Sequence, residues 1–211
     1  MVETPLKAPA YNGELRPARG RVEDNTVGSL SEAQRSLIVG SLLGDGAMRC
    51  KSNALLEINH SSAQRAYVDW KYATLRELVR TPPKERPGNG SRRAYRFTTL
   101  SSPLLTPYYR VFYEAGRKIV PEVGLDPMKL AVWFMDDGSR SYRTVYLNSQ
   151  QFSHSEQLRL LAMLKRDLNL EGYLNRDKAY FRIRLSVASA RRLCEIVRPH
   201  MRPELSYKLP R

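Results

Sequence analysis

The chain is short of cysteine, histidine and acid, and it has no long apolar run. Two cysteines, Cys50 and Cys194, stand alone without metal-ligand spacing, so no disulfide framework is expected. They fit a reducing, intracellular setting; an organelle and a prokaryotic cytoplasm serve equally. His60 and His154 are too isolated for a metal site, and neutral surface or strand-end roles are expected for them. No run approaches the ~20 apolar residues that span a bilayer, so no membrane partner is expected. Nor is there an apolar run for a signal peptide, and early acids such as Glu3 and Glu14 argue against a transit peptide. The shortage of acid is the most informative. Only 21 Asp and Glu stand against 35 Lys and Arg, a formal net charge of +14, which points to a polyanionic partner. Residues 1–29 hold four basic and four acidic side chains, so the whole excess lies in 30–211. With Pro5, Pro9, Pro17, Gly13 and Gly20, that first stretch reads as an irregular segment, and the basic surface belongs to the folded part.

What is present is organised around two apolar runs, each ending in aspartate and glycine. The first is Leu37-Ile38-Val39-Gly40-Ser41-Leu42-Leu43-Gly44-Asp45-Gly46. The second is Leu130-Ala131-Val132-Trp133-Phe134-Met135-Asp136-Asp137-Gly138. Ser31 with Gln34 reads as a capping box ahead of the first, and Asp126-Pro127 as a cap and first-turn proline ahead of the second. Each run is apolar on all sides, so each is expected as a helix covered by other protein and stopped at its glycine. A carboxylate in the last turn faces the negative end of the helix dipole, at a cost of roughly 0.3–1 kcal/mol. The same fault twice implies a cation that repairs it. Gly40, Ser41 and Ala131 are small enough to let the helices touch, bringing Asp45 and Asp137 together as a minimal cradle for a hard divalent ion such as Mg²⁺.

These runs resemble the two signature helices of the LAGLIDADG homing endonucleases, in the single-chain form that carries both motifs. Gly116-Arg117-Lys118-Ile119-Val120-Pro121, Leu147-Asn148-Ser149-Gln150-Gln151-Phe152 and Tyr207-Lys208-Leu209-Pro210 are similar to further family segments, so the resemblance covers residues 30 to 211. It implies that Asp45 and Asp137 share two or more divalent ions, with Gly44 and Asp136 beside them in the metal set. Asp136 itself is open to two readings, a group supporting the ligands or a solvated cap. Lys118 and Lys208 match the family's basic residue near each active site, where an ammonium polarises water or offsets charge on the phosphate. Gln150 matches a polar residue that positions water, and its first-half counterpart is either Asn59 or His60. Each half would cut one strand, leaving 3′ overhangs.

From residue 46 onward the chain is written twice. Strand-like Ala54–His60 and helical Ala63–Val79 follow Asp45; strand-like Thr144–Phe152 and helical Ser155–Leu168 follow Asp137. Arg92–Thr99 then helical Leu104–Ala115 match Tyr180–Val187 then helical Ala190–Val197. Lys118 follows Asp45 at almost the spacing with which Lys208 follows Asp137. The expected fold is α+β, two pseudo-symmetric αββαββα halves (30–122 and 123–211), each with a curved antiparallel sheet, joined at the two signature helices.

Alternation in Tyr180–Val187 puts Phe181, Ile183, Leu185 and Val187 on one face and Tyr180, Arg182, Arg184 and Ser186 on the other. Arg92, Arg96 and Thr98 repeat the theme, as do Tyr146, Asn148 and Gln150. Arginine to guanine and Asn or Gln to adenine are the pairings that read base edges in the major groove, so these are candidate contacts to double-stranded DNA. Arg80–Ser91, with Lys84 and Arg86, reads as a basic loop that contacts flanking phosphates or merely connects. Trp70, Tyr72, Tyr108, Tyr109 and Phe112 lie at helical spacing and are expected in the core. Three functions remain open: a monomeric site-specific endonuclease encoded in a mobile intron, a maturase acting on its own intron RNA, and a DNA-binding regulator without catalysis. Retention of both aspartates and both lysines weighs against the last. No splicing-domain sequence flanks the motifs, so an intein is not expected.

Overall fold

The computed structural model describes residues 30–88, 90 and 92–210; the irregular segment expected over 1–29 lies outside them. Both signature runs are helices. Helix α1 (Glu32–Leu43) opens on the expected capping box, with the Ser31 Oγ accepting the Gln34 N–H at 3.2 Å and the Gln34 Oε1 accepting the Ser31 N–H at 2.9 Å. Helix α4 (Pro127–Asp137) opens on Asp126, whose Oδ1 accepts the Lys129 N–H at 2.7 Å. The other Asp126 oxygen accepts from the Ser36 hydroxyl at 2.9 Å and so ties the start of α4 to α1. Leu37–Leu43 and Leu130–Met135 are buried throughout, as helices apolar on every side must be.

The two helices touch through backbone. A Cβ placed on Gly40 would lie 2.6 Å from the Val132 Cβ and 2.7 Å from the Lys129 carbonyl; one on Gly44 would lie 2.5 Å from the Asp136 Cβ. The glycine that closes α1 is therefore required by space. Its φ of −104° lies in a region that any residue adopts.

Each half completes αββαββα. In the first, β1 (Ala47–Cys50), β2 (Ala54–Ser61), β3 (Lys84–Pro87) and β4 (Arg93–Thr98) form an antiparallel sheet in the order β1-β2-β4-β3, with α2 (Arg65–Thr74) and α3 (Thr106–Phe112). A short hairpin, β5 (Tyr113–Glu114) and β6 (Arg117–Lys118), leads toward α4. In the second half, β7 (Gly138–Arg140), β8 (Val145–Leu147), β9 (Gly172–Asp177) and β10 (Tyr180–Leu185) take the same order, β7-β8-β10-β9, with α5 (His154–Leu168) and α6 (Val187–Val197). Alternation sends Leu56, Ile58, Ile183 and Leu185 into the core beneath the helices, leaving the opposite sheet faces open.

Several expected elements are shorter. The strand read over Thr144–Phe152 leaves the ladder after Leu147, because the Asn148 N–H and side-chain amide both bond the Asp137 carbonyl and turn the chain. The strand read to Val187 ends at Leu185: Ser186 is the N-cap of α6, accepting the Ser189 N–H at 3.1 Å, and Val187 starts that helix. Ser186 is thus withdrawn from the open face, and Phe181 is 38% exposed, edge-on to His154, instead of packed inside. The loop expected over Arg80–Ser91 contains strand β3. Tyr108 and Phe112 are buried, while Trp70, Tyr72 and Tyr109 pack on the core's margin. Among the described residues no helix is long and apolar enough to cross a membrane.

The contact at Gly40 yields a direct expectation. Gly40→Val should destabilise the chain by about 1–3 kcal/mol or more, since the clash is with backbone and a β-branched neighbour that cannot yield. A urea midpoint equal to that of the unsubstituted chain would mean that the helices pack elsewhere.

Candidate active site

Asp45 follows the last turn of α1, and Asp137 is the last residue of α4. The Asp45 side chain keeps 48% of its surface open. Both acids hold their protons more tightly than usual. Burial and the charges of Asp45 and Asp136 push the Asp137 carboxyl up to about 8; burial and Asp136 raise that of Asp45. This is the behaviour of carboxylates crowded together with too little compensating charge.

Part of the compensation comes from two lysines at equivalent places. The Lys118 ammonium donates to the Gly44 and Gly46 carbonyls at 2.6 and 2.8 Å, and that of Lys208 to the Met135 and Asp136 carbonyls at 2.5 and 2.9 Å. Each caps the negative end of a signature helix. Burial pulls the Lys118 ammonium down to about 8 and lowers that of Lys208.

Of its two sequence readings, Asp136 departs from the solvated cap and keeps to the supporting group, bonding the Asp45 backbone. It is buried, so it is no solvated cap. Its carboxylate points away from the Asp45–Asp137 opening and takes 2.8 and 3.0 Å bonds from the Lys71 ammonium, 2.6 Å from the Tyr67 hydroxyl and 3.3 Å from the Asp45 N–H. The Lys71 charge offsets burial and holds this carboxyl below the usual range. With its carboxylate spent on Lys71 and Tyr67, Asp136 is withdrawn from the metal set as a side-chain ligand. Lys71 is completely buried, and the sequence reading missed it together with Tyr67. The available signal was a lysine four residues after a tyrosine on the inward face of α2, beside Val68 and Leu75.

His60 stands near the end of β2, one of the places expected for it, but not on the surface. It is buried, with Nδ1 3.5 Å from the Asp45 Oδ2 and Nε2 3.3 Å from the Lys71 ammonium. Burial and the Lys71 charge drop its pKa to about 4, so the ring is neutral at physiological pH. In the second half it is Gln151, not Gln150, that reaches the acids, with Nε2 3.4 Å from both the Asp137 Oδ2 and the Gly44 carbonyl. Gln150 bonds Asp177 instead, because the turn after Leu147 shifts which side chain points inward. Asn148 donates its side-chain amide to the Asp137 carbonyl at 2.7 Å.

The open sheet faces flank this centre. On the first, Arg96, Thr98, Lys84 and Arg86 are exposed, and Arg92 and Arg86 line a groove that reaches Asp45. Glu57 lies among them, 2.9 Å from the Arg49 guanidinium and 3.9 Å from that of Arg96. On the second, the Arg182 guanidinium stacks 3.9 Å over the Tyr146 ring, and Arg184 lies between Tyr146 and Tyr173 at 5.8 and 5.9 Å. Tyr180 is 61% exposed beside them. The Nε atoms of both arginines find no hydrogen-bond acceptor among the described residues.

Residues 35–193 match the LAGLIDADG DNA endonuclease family. The chain belongs to that family. A solved structure, the homing endonuclease I-WcaI bound to its DNA recognition sequence, superposes with a TM-score of 0.79 at 25% identity, covering 86% of this chain and 88% of that one. The DNA endonuclease I-ChuI of Chlamydomonas applanata is 27% identical over 209 residues, 86% of this chain and 96% of that protein. The protein RecA of Mycobacterium gastri is 30% identical over 203 residues, 85% of this chain and 48% of that protein. The chain spans about half the length of the RecA relatives it matches.

The acids of this LAGLIDADG protein fit a divalent cation. Two carboxylates with raised proton affinity converge where one remains half open, while the Gly44 and Asp136 carbonyls are already taken by Lys118, Gln151 and Lys208. No group of three His, Cys, Asp or Glu forms a ready cage among the described residues. A hard divalent ion held by one or two carboxylates completes its shell with water and substrate oxygens.

Two expectations follow from these charges. Lys71→Met strands the buried Asp136 carboxylate and should cost about 3–5 kcal/mol in urea unfolding; a cost below about 1 kcal/mol would show that the pair is not buried in solution. The second concerns pH. An unfolded Asp137 releases its proton near about pH 4, whereas the folded one keeps it up to about 8. Across that window the folded chain binds the extra proton, so metal-free stability falls as pH rises. Asp137→Asn should lessen the fall and stabilise the metal-free chain at the alkaline end by roughly 1–3 kcal/mol. Parallel stability–pH curves for the two chains would remove Asp137 from the acid cluster.

Proposed function

We propose that the chain is a site-specific homing endonuclease in the two-motif single-chain form, acting as an intracellular monomer on double-stranded DNA. Its halves run over 30–122 and 123–211, and it makes a Mg²⁺-dependent double-strand break with 3′ overhangs in a long target, as the product of a mobile intron. The observation that carries this reading is the meeting of Asp45 and Asp137 at the joined ends of α1 and α4, between two basic sheet faces. The faces are not identical, which fits an asymmetric target read by one chain. Arg92, Arg96, Thr98, Lys84 and Arg86 serve one half-site, and Tyr146, Tyr180, Arg182 and Arg184 the other. Stacking on Tyr146 holds the Arg182 guanidinium in place before DNA arrives, so less side-chain freedom is lost on binding.

Asp45 and Asp137 would hold the divalent ions. Bound there, a metal supplies Lewis acidity that activates water and stabilises the leaving oxygen. Lys118 and Lys208 keep positive charge beside the scissile phosphates while anchored to helix carbonyls. Gln151 and His60, each within 3.5 Å of one aspartate, orient the carboxylates and the water near them. Lys118 also loses much of its charge above about pH 8, so the phosphate is best supported below that value.

Asp45→Asn or Asp137→Asn keeps the shape but removes the charge that holds the ion. Either should reduce double-strand cutting in Mg²⁺ by roughly a thousandfold or more while DNA affinity stays nearly unchanged. The assay is a supercoiled plasmid carrying a site selected from randomised DNA, with Ca²⁺ as the ion that supports binding without cutting. Full linearisation by either variant would overturn the assignment. If the unsubstituted chain cuts nothing but promotes splicing of an intron RNA, it is a maturase; if it only binds DNA, it is a regulator.

A further inference from the structure

Lys71 is the one fully buried lysine among the described residues, and it lies between the acid centre and α2. Its three protons have three destinations: the Asp136 carboxylate at 2.8 and 3.0 Å, the Ser41 hydroxyl at 3.0 Å and the His60 Nε2 at 3.3 Å. For the last to be a hydrogen bond, Nε2 must carry a lone pair. Nε2 also lies 3.6 Å from the Asp136 Oδ1, but a proton on it would face the ammonium at 3.3 Å and take away the third acceptor of a fully buried lysine. The tautomer that satisfies the lysine carries its proton on Nδ1, the nitrogen 3.5 Å from the Asp45 Oδ2. Asp136 completes the arrangement by accepting the Asp45 N–H at 3.3 Å, so side chain and backbone of Asp45 are held from the same cluster.

Among the described residues the second half has no equivalent. Ala47 pairs with Glu57 in one sheet and Ser139 with Tyr146 in the other, so the residue three beyond, His60, corresponds to Ser149. Ser149 is fully buried, and its hydroxyl has no hydrogen-bond partner among the described residues. Helix α5, which takes the place of α2, buries Leu160, Met163 and Leu164 and no lysine. Asp137 is attended by Gln151, an exposed side chain.

We propose that Lys71 fixes the tautomer of His60, and that His60 in turn aims the Asp45 carboxylate, a positioning relay built into one half of the molecule only. Its catalytic consequence rests on the endonuclease reading above; the relay itself does not. The test has two arms. In the first, long-range ¹H–¹⁵N spectra are recorded at neutral pH on the full chain, labelled at histidine nitrogen, without metal or DNA. His60 should be neutral with its proton on Nδ1. In Lys71→Met/Asp136→Leu, which removes both buried charges so that neither is stranded, the proton should move to Nε2, the tautomer usual for free imidazole. A proton on Nε2 in the unsubstituted chain overturns the relay without recourse to any variant, and so does a double variant that keeps Nδ1–H.

The second arm uses His60→Gln, which retains a side-chain N–H donor, and His60→Leu, which does not. Single-turnover cutting by His60→Leu should fall about tenfold or more with DNA affinity unchanged, and His60→Gln should recover most of the loss. Equal rates for His60→Leu and the unsubstituted chain, or no recovery by His60→Gln, would overturn the positioning role. Should the unsubstituted chain cut no DNA at all, the endonuclease reading fails, and the spectra still decide the relay.

Discussion

The structure depends on backbone-to-side-chain contact between α1 and α4. Gly40 and Gly44 lie one turn apart on α1 and remove the Cβ atoms that would hold the helices at ordinary separation. Only because the helices meet so closely do their C-terminal ends, and the aspartates there, share one small volume. The sheets are then carried to either side by the strands β1 and β7, which begin within two residues of each aspartate. Close packing of two small residues thus sets both the separation of the acids and the position of the two basic faces.

That arrangement collects charge that nothing local explains. Two helix ends present their negative poles, three aspartates crowd together, and the fold answers with Lys71, Lys118 and Lys208. The three lysines serve different ends. Lys118 and Lys208 each bond two carbonyls at the end of a signature helix, so they are fixed by backbone and repeat between the halves. Lys71 bonds side chains and belongs to one half. The compensation is incomplete at Asp45 and Asp137, where proton affinity stays high, and complete at Asp136, where it does not. Incomplete compensation at the open end is what makes the site receptive to a cation.

The halves share a topology but not a chemistry. The first sheet presents Arg49 and Arg96 each paired with Glu57, a face whose cations are partly answered by an acid. The second presents Arg182 and Arg184 stacked over tyrosines. One polypeptide with two differently made faces is suited to a target without symmetry, whereas two identical copies would impose a palindrome.

The amino-acid sequence by itself determined the two buried helices, their caps, the doubled αββαββα order, the basic surface and the convergence of Asp45 with Asp137. These are written in local terms: capping residues at fixed offsets, apolar period, alternation along strands, and small residues at a helix contact. The tertiary structure alone decided which neighbours the acids have. Asp136 turned inward because it lies on the face of α4 that meets Gly44 and α2, and no feature of its own segment says so. Lys71 and Tyr67 come from a helix over sixty positions away, and a lysine in a helical pattern reads as solvated until its partner is placed. Gln151 and not Gln150 lies beside Asp137 because the turn after Leu147 is set by bonds from Asn148 to the end of α4, so the strand period stops short of it. Local periodicity survives translation from sequence to fold, but the pairing of buried charges is a property of elements that meet only after folding.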